Sequence, residues 1–491
     1  MFDKFKSALA VFYERYLASK PTETVDWNCQ AARTLRYEIL WAMYQDQSYR
    51  NIHSWAQRYR HDYGLYKYIR PIYNPTYRLG QFWQAHIFGG LLDSQAGNAG
   101  CIPIVTDNPA LSQAIARLWQ ASRWQVNKDV LVARTSVLGD GAVRVIDDVE
   151  RGAVYLDIVH PGSFESVDLD PFGNVKGYVI REKRPDPERG YTSNAEYVEE
   201  VTRDGESVAY RTYRNGDLYA WDNGAAEWAE PYGFVPLVVL QHEDVGLQWG
   251  WSCVHAVSEK IREVDGLASQ LSDSVRKTID PVWLMQGIKR TDLTIRGNSP
   301  TDAAPEPGRE ELRALWGVPA NGNAKALIPD VDFAGVLAHI AELLKEIERD
   351  LPELGQDTKT ASGDASGRAL RVARQPIVSK VLARRAGYDD AIKRAMQMAI
   401  AIGGLRKYKG YNGFNLQSYA SGALDFDIGG RPVYEEDPLD KEDVQAAIWT
   451  SVQAAVNAGA SLAGVLRDRG FSEERIKLLT TSDAAVNNTE E

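Results

Sequence analysis

The residue types that most often carry catalytic or metal chemistry are thinly scattered along this chain. The seven histidines include no His-Glu-x-x-His motif, and with the three cysteines they form no group of three or four ligands at zinc-site spacing. Each histidine is therefore expected to be structural. Cysteines that are few, far apart and odd in number are typical of a reducing compartment without a disulfide framework. The histidines are His53, His61, His86, His160, His242, His255 and His339, and the cysteines are Cys29, Cys101 and Cys253.

Paired carboxylates are the other candidates for chemistry. Asp147-Asp148 and the pair Asp425/Asp427 could each hold a divalent cation, although such pairs are more often solvated turns. No Gly-x-x-x-x-Gly-Lys-Ser/Thr loop is present to cradle a phosphate, and between Gly363 and Gly367 the serine stands one place too late for Gly-x-Ser-x-Gly. The sequence therefore predicts no catalytic residue, no metal and no cofactor, and we do not expect an enzyme.

The most distinctive stretch is a polar loop that leads into a long basic helix. Residues 355–367 contain no large apolar side chain, whereas apolar residues recur at helical spacing from 368 to 404. Pro376 predicts a kink near residue 375, and Gly403-Gly404 predicts the end of the helix. From Lys359 to Lys409 there are 12 basic and three acidic residues, a net charge of +9, in a chain whose formal net charge is −11. A locally basic helix in an acidic protein is the feature to explain.

Composition and periodicity predict the elements that position this stretch. With 491 residues, 44% hydrophobic and 25% charged, the chain is typical of a soluble globular protein of several core-forming units. Its first residues predict an amphipathic helix and not a signal peptide, and no apolar run reaches the roughly 18 residues of a membrane span. We therefore expect a soluble protein made in a cytosol. Helices are predicted over 31–44, 79–92 and 108–137, and an antiparallel meander over 141–240.

Two long helices, each with one apolar stripe, are predicted next. The first covers 254–279 and the second begins after the N-cap Asp332 and ends at Leu351-Pro352. They bracket a Pro- and Gly-rich module, so the simplest arrangement is an antiparallel pair with the module at its far end. Near the end of the chain we predict a strand pair, 425–428 with 431–434, and helices over 441–458 and 462–469. Residues 421–491 hold 14 acidic and six basic residues, a net charge of −8.

This order of elements resembles the portal (head-to-tail connector) proteins of tailed double-stranded DNA bacteriophages. Ala365-Ser-Gly-Arg-Ala-Leu370 is similar to the Ser-Gly-x-Ala-Leu motif that opens the kinked helix in that family. Further similar motifs are Ser136-Val-Leu-Gly-Asp-Gly before the first strand, Val159-His-Pro-Gly-Ser163 in the meander, and Glu435-Glu-Asp437 followed by Ala458-Gly-Ala-Ser461. The resemblance covers nearly the whole chain.

The resemblance implies an α+β fold with the divisions of a portal subunit. In this numbering they are a helical and antiparallel-β wing (1–250), a first stem helix (251–279), a small α/β clip (280–330), a second stem helix (331–354), a tunnel loop (355–367), a kinked tunnel helix with its return to the wing (368–420) and a helical crown (421–491). The family implies a ring of identical subunits, usually a dodecamer, at one capsid vertex of the virion, assembled in the host cytoplasm.

The implied partners are double-stranded DNA in the channel, the terminase motor and neck or adaptor proteins at 280–330, and capsid and scaffold proteins at the wing, with no membrane. Lys359, Thr360, Ser362, Arg368 and Arg371 would face the DNA. Intersubunit ion pairing is the competing interpretation of Arg371, Arg374, Arg384 and Arg385. Two other functions stay open: a metal-dependent phage hydrolase or nuclease that uses Asp147, Asp425 and Asp427, and an oligomeric scaffold that needs no DNA.

Overall fold

The chain combines long helices with antiparallel sheets, as the α+β prediction requires. Among the helices described, none combines the length and the apolar composition that crossing a bilayer demands. The computed structural model describes residues 30–48, 72–88, 102–186, 193–220, 224–279, 282–286, 323–327, 332–355, 367–434, 438–459, 461–468 and 476. The helices are α1 (Gln30–Tyr44), α2 (Pro75–His86), α3 (Pro109–Ala121), α4 (Trp124–Leu138), α5 (Ser258–Ile279), α6 (Phe333–Asp350), α7 (Gly367–Leu405), α8 (Leu416–Ala420), α9 (Pro438–Asn457) and α10 (Leu462–Asp468).

The strands form four separate antiparallel sheets. They are β1 (Ile104–Val105), β2 (Asp140–Asp148), β3 (Ala153–Val159), β4 (Phe164–Leu169), β5 (Val175–Pro185), β6 (Asn194–Asp204), β7 (Ser207–Arg214), β8 (Asp217–Leu218), β9 (Glu227–Glu230), β10 (Leu237–Gln241), β11 (Val282–Gln286), β12 (Asn323–Leu327) and β13 (Asp427–Ile428).

The predicted single meander is wrong in its connectivity. Strand β10 returns to pair with β2, which also pairs with β3, so these three form one sheet. A second sheet runs β4-β5-β6-β7-β8, with β9 also on β7. Strand β4 was missed because two register shifts against β5 interrupt its alternation of buried and exposed residues.

The predicted helix over 108–137 is divided into α3 and α4. Arg123 between them has a left-handed backbone, with φ of 49°. The hydroxyl of Ser122 donates to the carbonyl of Leu118 and accepts a 2.9 Å hydrogen bond from the amide of Leu156 in β3. A tertiary hydrogen bond therefore stabilises the break, and helical periodicity alone did not reveal it.

The predicted strand pair near residue 430 is also wrong. Strand β13 pairs with β1, more than 300 residues earlier in the chain, and the amide of Gly429 donates to the carbonyl of Pro103. Residues 431–434 form no strand. The guanidinium of Arg431 turns inward and bonds Asp389 of α7 at 2.6 Å, and Pro432 has no amide hydrogen for a ladder.

Helices α5 and α6 form the predicted antiparallel pair. Lys260, near the start of α5, is 2.7 Å from Asp350 at the end of α6, and Asp332 caps α6 by accepting from the amide of Gly335. Strands β11 and β12 pair between the two helices in sequence. The apolar stripe of α6 is only partly covered, because Ile347 is buried while Leu337 is 55% exposed.

The main hydrophobic core surrounds the second half of α7. Residues 395–404 of α7 are all buried, and helices α1–α4 and both large sheets contribute to the same core. A separate small cluster joins α9 and α10 through Val452, Leu466 and Ile476. The C-terminal half of α7 is therefore the central element of the folded unit.

Gly403 and Gly404 lie inside α7 and do not end it. The helix closes after them, where Lys407 adopts φ of 57° and the amide of Tyr408 donates to the carbonyl of Gly403. The glycines are needed for packing: a Cβ on Gly403 would lie 2.8 Å from the ring of Tyr411, and one on Gly404 would overlap the carbonyl of Phe414. The predicted helix end falls within one residue of Leu405, but the two glycines are required for packing and not for termination.

Gly404→Ala is expected to lower the free energy of unfolding by about 1–3 kcal/mol, since the rigid backbone at Phe414 must move. Gly387→Ala on the same helix is the matched control. The nearest atom to its new Cβ is 4.0 Å away, so we expect a gain of up to ~1 kcal/mol from helix propensity. Denaturant unfolding measures both. Equal effects of the two substitutions would contradict the packing role.

Candidate functional site

Between residues 372 and 387, α7 exposes a face that carries no charge. At 3.6 residues per turn the exposed positions in this range span about half of the helix circumference. Its large apolar members are exposed to solvent, Val372 to 70% and Leu382 to 52%. We call this set the uncharged face: Val372, Ala373, Gln375, Pro376, Ser379, Leu382, Ala383, Ala386 and Gly387.

The basic side chains that the structure describes between 372 and 387 bond to groups away from the uncharged face. Lys380 bonds Glu353 at 2.8 Å, and the carboxylate of Glu353 is almost fully buried. Arg384 bonds Glu243, at the end of the meander, at 2.7 Å. Both ion pairs tie α7 to other segments of the same chain.

Arg385 is one of the most buried charged residues in the described part of the chain, at 4% exposure. Its guanidinium donates to three backbone carbonyls, those of His86 at 2.8 Å, Arg431 at 2.5 Å and Pro432 at 3.4 Å. Burial lowers the pKa of Arg385 to about 10, and the nearby Arg431 contributes in the same direction. The side chain therefore remains charged at neutral pH and stabilises the chain reversals around it.

The C-terminal end of α7 is held by an ion-pair network that reaches both large sheets. Arg406 bonds Asp147 of β2 at 2.7 Å and Glu230 of β9 at 2.6 Å. The hydroxyls of Tyr232 and Tyr408 also donate to Asp147, at 2.8 and 2.7 Å. Burial lowers the pKa of Arg406, but hydrogen bonds and charges from its partners outweigh it and raise the pKa above its ordinary value.

The remaining described cations of the helix have partners as well. Arg394 pairs with Asp390 one turn away, and Lys393 lies 3.7 Å from Asp427. Arg374 lies over the ring of Tyr434, 4.5 Å from its centroid. The positive charge that the sequence concentrates in α7 is thus largely used within one chain.

The sequence-predicted site residues divide into two groups. Lys359, Thr360 and Ser362 lie outside the described residues, as do the side chains of Arg368 and Arg371 at the start of α7. Pro376 lies inside α7, which continues on both sides of it, and is part of the uncharged face. The kink itself stays a prediction.

The described contacts of Arg384 and Arg385 lie within one chain, and pairing of these arginines with a neighbouring subunit stays a prediction. Arg384 bonds Glu243 and Arg385 bonds three carbonyls, all in the same chain. Sequence reasoning missed the uncharged face. The signal that could have found it is helical phase. From 372 to 387 each arginine falls on the side that carries the apolar stripe Ile377, Val381 and Tyr388, and Lys380 falls near one edge of the uncharged face.

The carboxylates considered for a metal are engaged in other contacts. Asp147 is neutralised by Arg406, and Asp148 pairs with Arg151. Asp425 accepts a hydrogen bond from Gln397, and Asp427 lies near Lys393. Within the ranges given above, no three His, Cys, Asp or Glu side chains are grouped so that they could hold a metal ion.

Two buried groups that often do chemistry lie in inert surroundings. Burial lowers the pKa of His242 well below its usual value, and the ring contacts the hydroxyl of Tyr388 at 3.1 Å. Burial raises the pKa of the Cys253 thiol to about 12, which suppresses the reactive thiolate. Both side chains pack in the core, as expected of structural residues.

Asp140, at the start of β2, joins α1 to the segment that leads into α5. It is fully buried and accepts hydrogen bonds of 2.6 Å from the hydroxyl of Tyr37 and from the amide of Gly250. Burial raises the pKa of Asp140 to about 6, although these hydrogen bonds and the nearby Arg36 and Arg33 act in the opposite direction. Ionisation of the Asp140 carboxyl at neutral pH therefore costs more free energy in the folded chain than in the unfolded chain.

This pKa predicts a pH dependence of stability. Because the folded-state pKa is raised, the contribution of Asp140 is fully present below about pH 4 and is lost as pH rises through about 6. Asp140→Asn resembles the protonated acid, so the variant is expected to lose less stability between pH 4 and 6 than the parent chain. Urea unfolding across this interval measures the slope. An unchanged slope in the variant would show that Asp140 does not titrate there.

Comparison with protein families and with curated proteins finds no match to this chain.

Proposed function

We propose that the chain is the portal subunit of a tailed double-stranded DNA bacteriophage, forming a ring through which the genome is packaged and ejected. The observation that carries the proposal is the uncharged face of α7, in a helix that is otherwise rich in basic residues. Each phosphate contact adds a salt-dependent attraction, and many of them together would arrest moving DNA. A conduit helix therefore gains from exposing small and neutral groups and from burying its cations in internal pairs.

The α5/α6 pair supports the ring. A helix with one apolar stripe needs a second surface for burial, but Leu337 of α6 and Val275 of α5 stay exposed in the single chain. Neighbouring copies arranged in a ring would cover these side chains from both sides. In this proposal α5 and α6 are the stem, and β11 and β12 belong to the clip that meets the packaging motor and the neck proteins.

The acidic balance of the chain agrees with a conduit. The net charge is −11 overall and −8 over residues 421–491, which form the crown in this proposal. An acidic surface near the exit of the channel repels phosphate and lowers non-specific binding. The nuclease alternative has no comparable support, since Asp147 is held by Arg406 and two tyrosine hydroxyls.

Electron microscopy of the purified full chain, with class averages along the particle axis, tests the proposal. We expect a closed ring of about a dozen subunits with an open centre. A closed particle without a central opening would favour the DNA-independent scaffold. A chain that stays monomeric, both alone and with a phage scaffold protein, would contradict the portal function.

A further inference from the structure

The turn between β4 and β5 presents a single aromatic side chain to solvent. Phe172 at its tip is 85% exposed, the highest value among the exposed large hydrophobic residues of the described chain. A side chain of this size is unfavourable in water and is a frequent anchor of protein interfaces. It is a feature that the conduit function does not explain.

The turn that carries Phe172 is held rigid by Asp170. The carboxylate of Asp170 accepts 2.8 Å hydrogen bonds from the amides of Phe172 and Asn174, and a third, of 2.9 Å, from the side chain of Asn174. The amide of Asp170 donates to the carbonyl of Asn174, and Gly173 supplies the left-handed backbone, with φ of 79°. Phe172 is therefore preorganised, so little entropy is lost when it is bound.

An open cleft of about 720 Å³ lies elsewhere in the chain, where the end of α1 meets the start of α2. Its apolar wall is formed by Tyr44, Ile72 and Tyr77, of which Ile72 and Tyr77 are half exposed. The rings of Tyr44 and Tyr77 lie 5.5 Å apart and Tyr44 stacks on Trp41 at 5.0 Å, so the wall offers aromatic edges and faces to a third ring. Its polar rim consists of Gln45, Asp46, Gln47 and Asn74.

The cleft is also preorganised. Asp265, buried in α5, accepts hydrogen bonds of 2.9 and 2.8 Å from the amides of Ile72 and Tyr73. Asn74 donates to Asp46 across the rim. The position of the cleft is thus fixed relative to α5, the helix assigned to the stem.

The two features are complementary in charge. The cleft rim carries the carboxylate of Asp46, and the lining residues that the structure describes include no basic side chain. The exposed Lys176 follows the tip and lies close enough to Asp170 to act on it electrostatically. Phe172 is exposed and so does not fill the cleft of its own chain.

We propose that Phe172 of one copy inserts into the cleft formed by Tyr44, Ile72 and Tyr77 of the next copy, with Lys176 facing Asp46. A contact between two different surfaces of identical chains is heterologous, and it closes into a ring when the rotation per copy divides a full turn. The inference deepens the proposed function and rests on it: it names the wing contact between adjacent subunits.

Sedimentation velocity of the full-length chain over a wide concentration range tests the contact. Phe172→Asp and Tyr77→Asp are each expected to raise the apparent dissociation constant of assembly at least about tenfold. An aspartate at position 77 falls in the first turn of α2, where a negative charge favours the helix, so folding is retained. Val149→Asp, at the exposed turn between β2 and β3, is the matched control and should assemble like the parent chain.

Mixing the two variants gives a result specific to this geometry. Phe172→Asp keeps an intact cleft and Tyr77→Asp keeps an intact tip, so an equimolar mixture should form heterodimers that neither variant forms alone. If Phe172→Asp alone forms rings like those of the parent chain, the proposed contact is wrong, whereas the proposed ring is not contradicted. A parent chain that assembles through Phe172 and Tyr77 into an open filament would support the contact and overturn the portal function. A parent chain that stays monomeric throughout, both alone and with a phage scaffold protein, would overturn both.

Discussion

If the chain forms the proposed portal ring, replacing Ala383 and Ala386 with arginine is expected to turn a ring that passes DNA into one that binds it. Both alanines belong to the uncharged face of α7, and arginine is a good helix former, so the subunit should fold as before. In a ring every subunit adds two cations to the bore. If six to ten of them contact phosphates, the affinity for DNA falls by about 10³–10⁵ between 50 and 200 mM salt. This salt dependence indicates newly acquired electrostatic binding to DNA.

Fluorescence anisotropy with duplex DNA at several salt concentrations measures the affinity and its salt dependence. Packaging yield in a complete phage system measures whether tighter DNA binding slows packaging. Gln113→Arg with Gln120→Arg is the matched control, since both glutamines are exposed on α3 and the variant gains the same charge away from the uncharged face. The control should package DNA at the parent level. If both double variants bind and package DNA alike, the uncharged face of α7 is not the wall of the conduit.

Arg406→Ala, directly after the end of α7, is expected to produce a large loss of stability. Arg406 lies between Asp147 and Glu230, and its removal leaves two partly buried carboxylates facing each other without a cation. Breaking a buried pair by removing one partner costs about 3–5 kcal/mol, and because Arg406 keeps some exposure we expect about 2–4 kcal/mol. Thermal and urea unfolding of the purified chain measure the loss.

Arg394→Ala, inside α7, is the control for the loss of an exposed ion pair. Its partner Asp390 is one turn away and largely exposed, so the pair contributes below about 1 kcal/mol. The double substitution Arg406→Ala with Asp147→Asn should recover part of the stability, because it also removes the unpaired charge. Similar losses for Arg406→Ala and Arg394→Ala would show that the network does not tie α7 to the sheets.

Elements with strong local periodicity were predicted well from the sequence. Helix α1, the α5/α6 pair with its cap at Asp332 and the long α7 agree closely with their apolar spacing, and β2 and β3 agree with their alternation. In each case residues near in sequence determine which face is buried. The predictions failed where a distant residue decided the outcome: Leu156 stabilises the break after α3, and β1 takes the place of the expected partner of β13.

The same division holds for the candidate site. By itself the sequence determined that α7 is long and basic, contains Pro376 and follows a polar stretch, because these properties depend only on residue types and their spacing. Only the tertiary structure decided which way the charges point. Glu243, Glu353, Asp147 and Glu230 approach α7 from four separate segments, and an ion pair forms only where folding brings opposite charges together. Glu353 and Glu243 bond Lys380 and Arg384 away from the uncharged face, so that face stays without charge between residues 372 and 387.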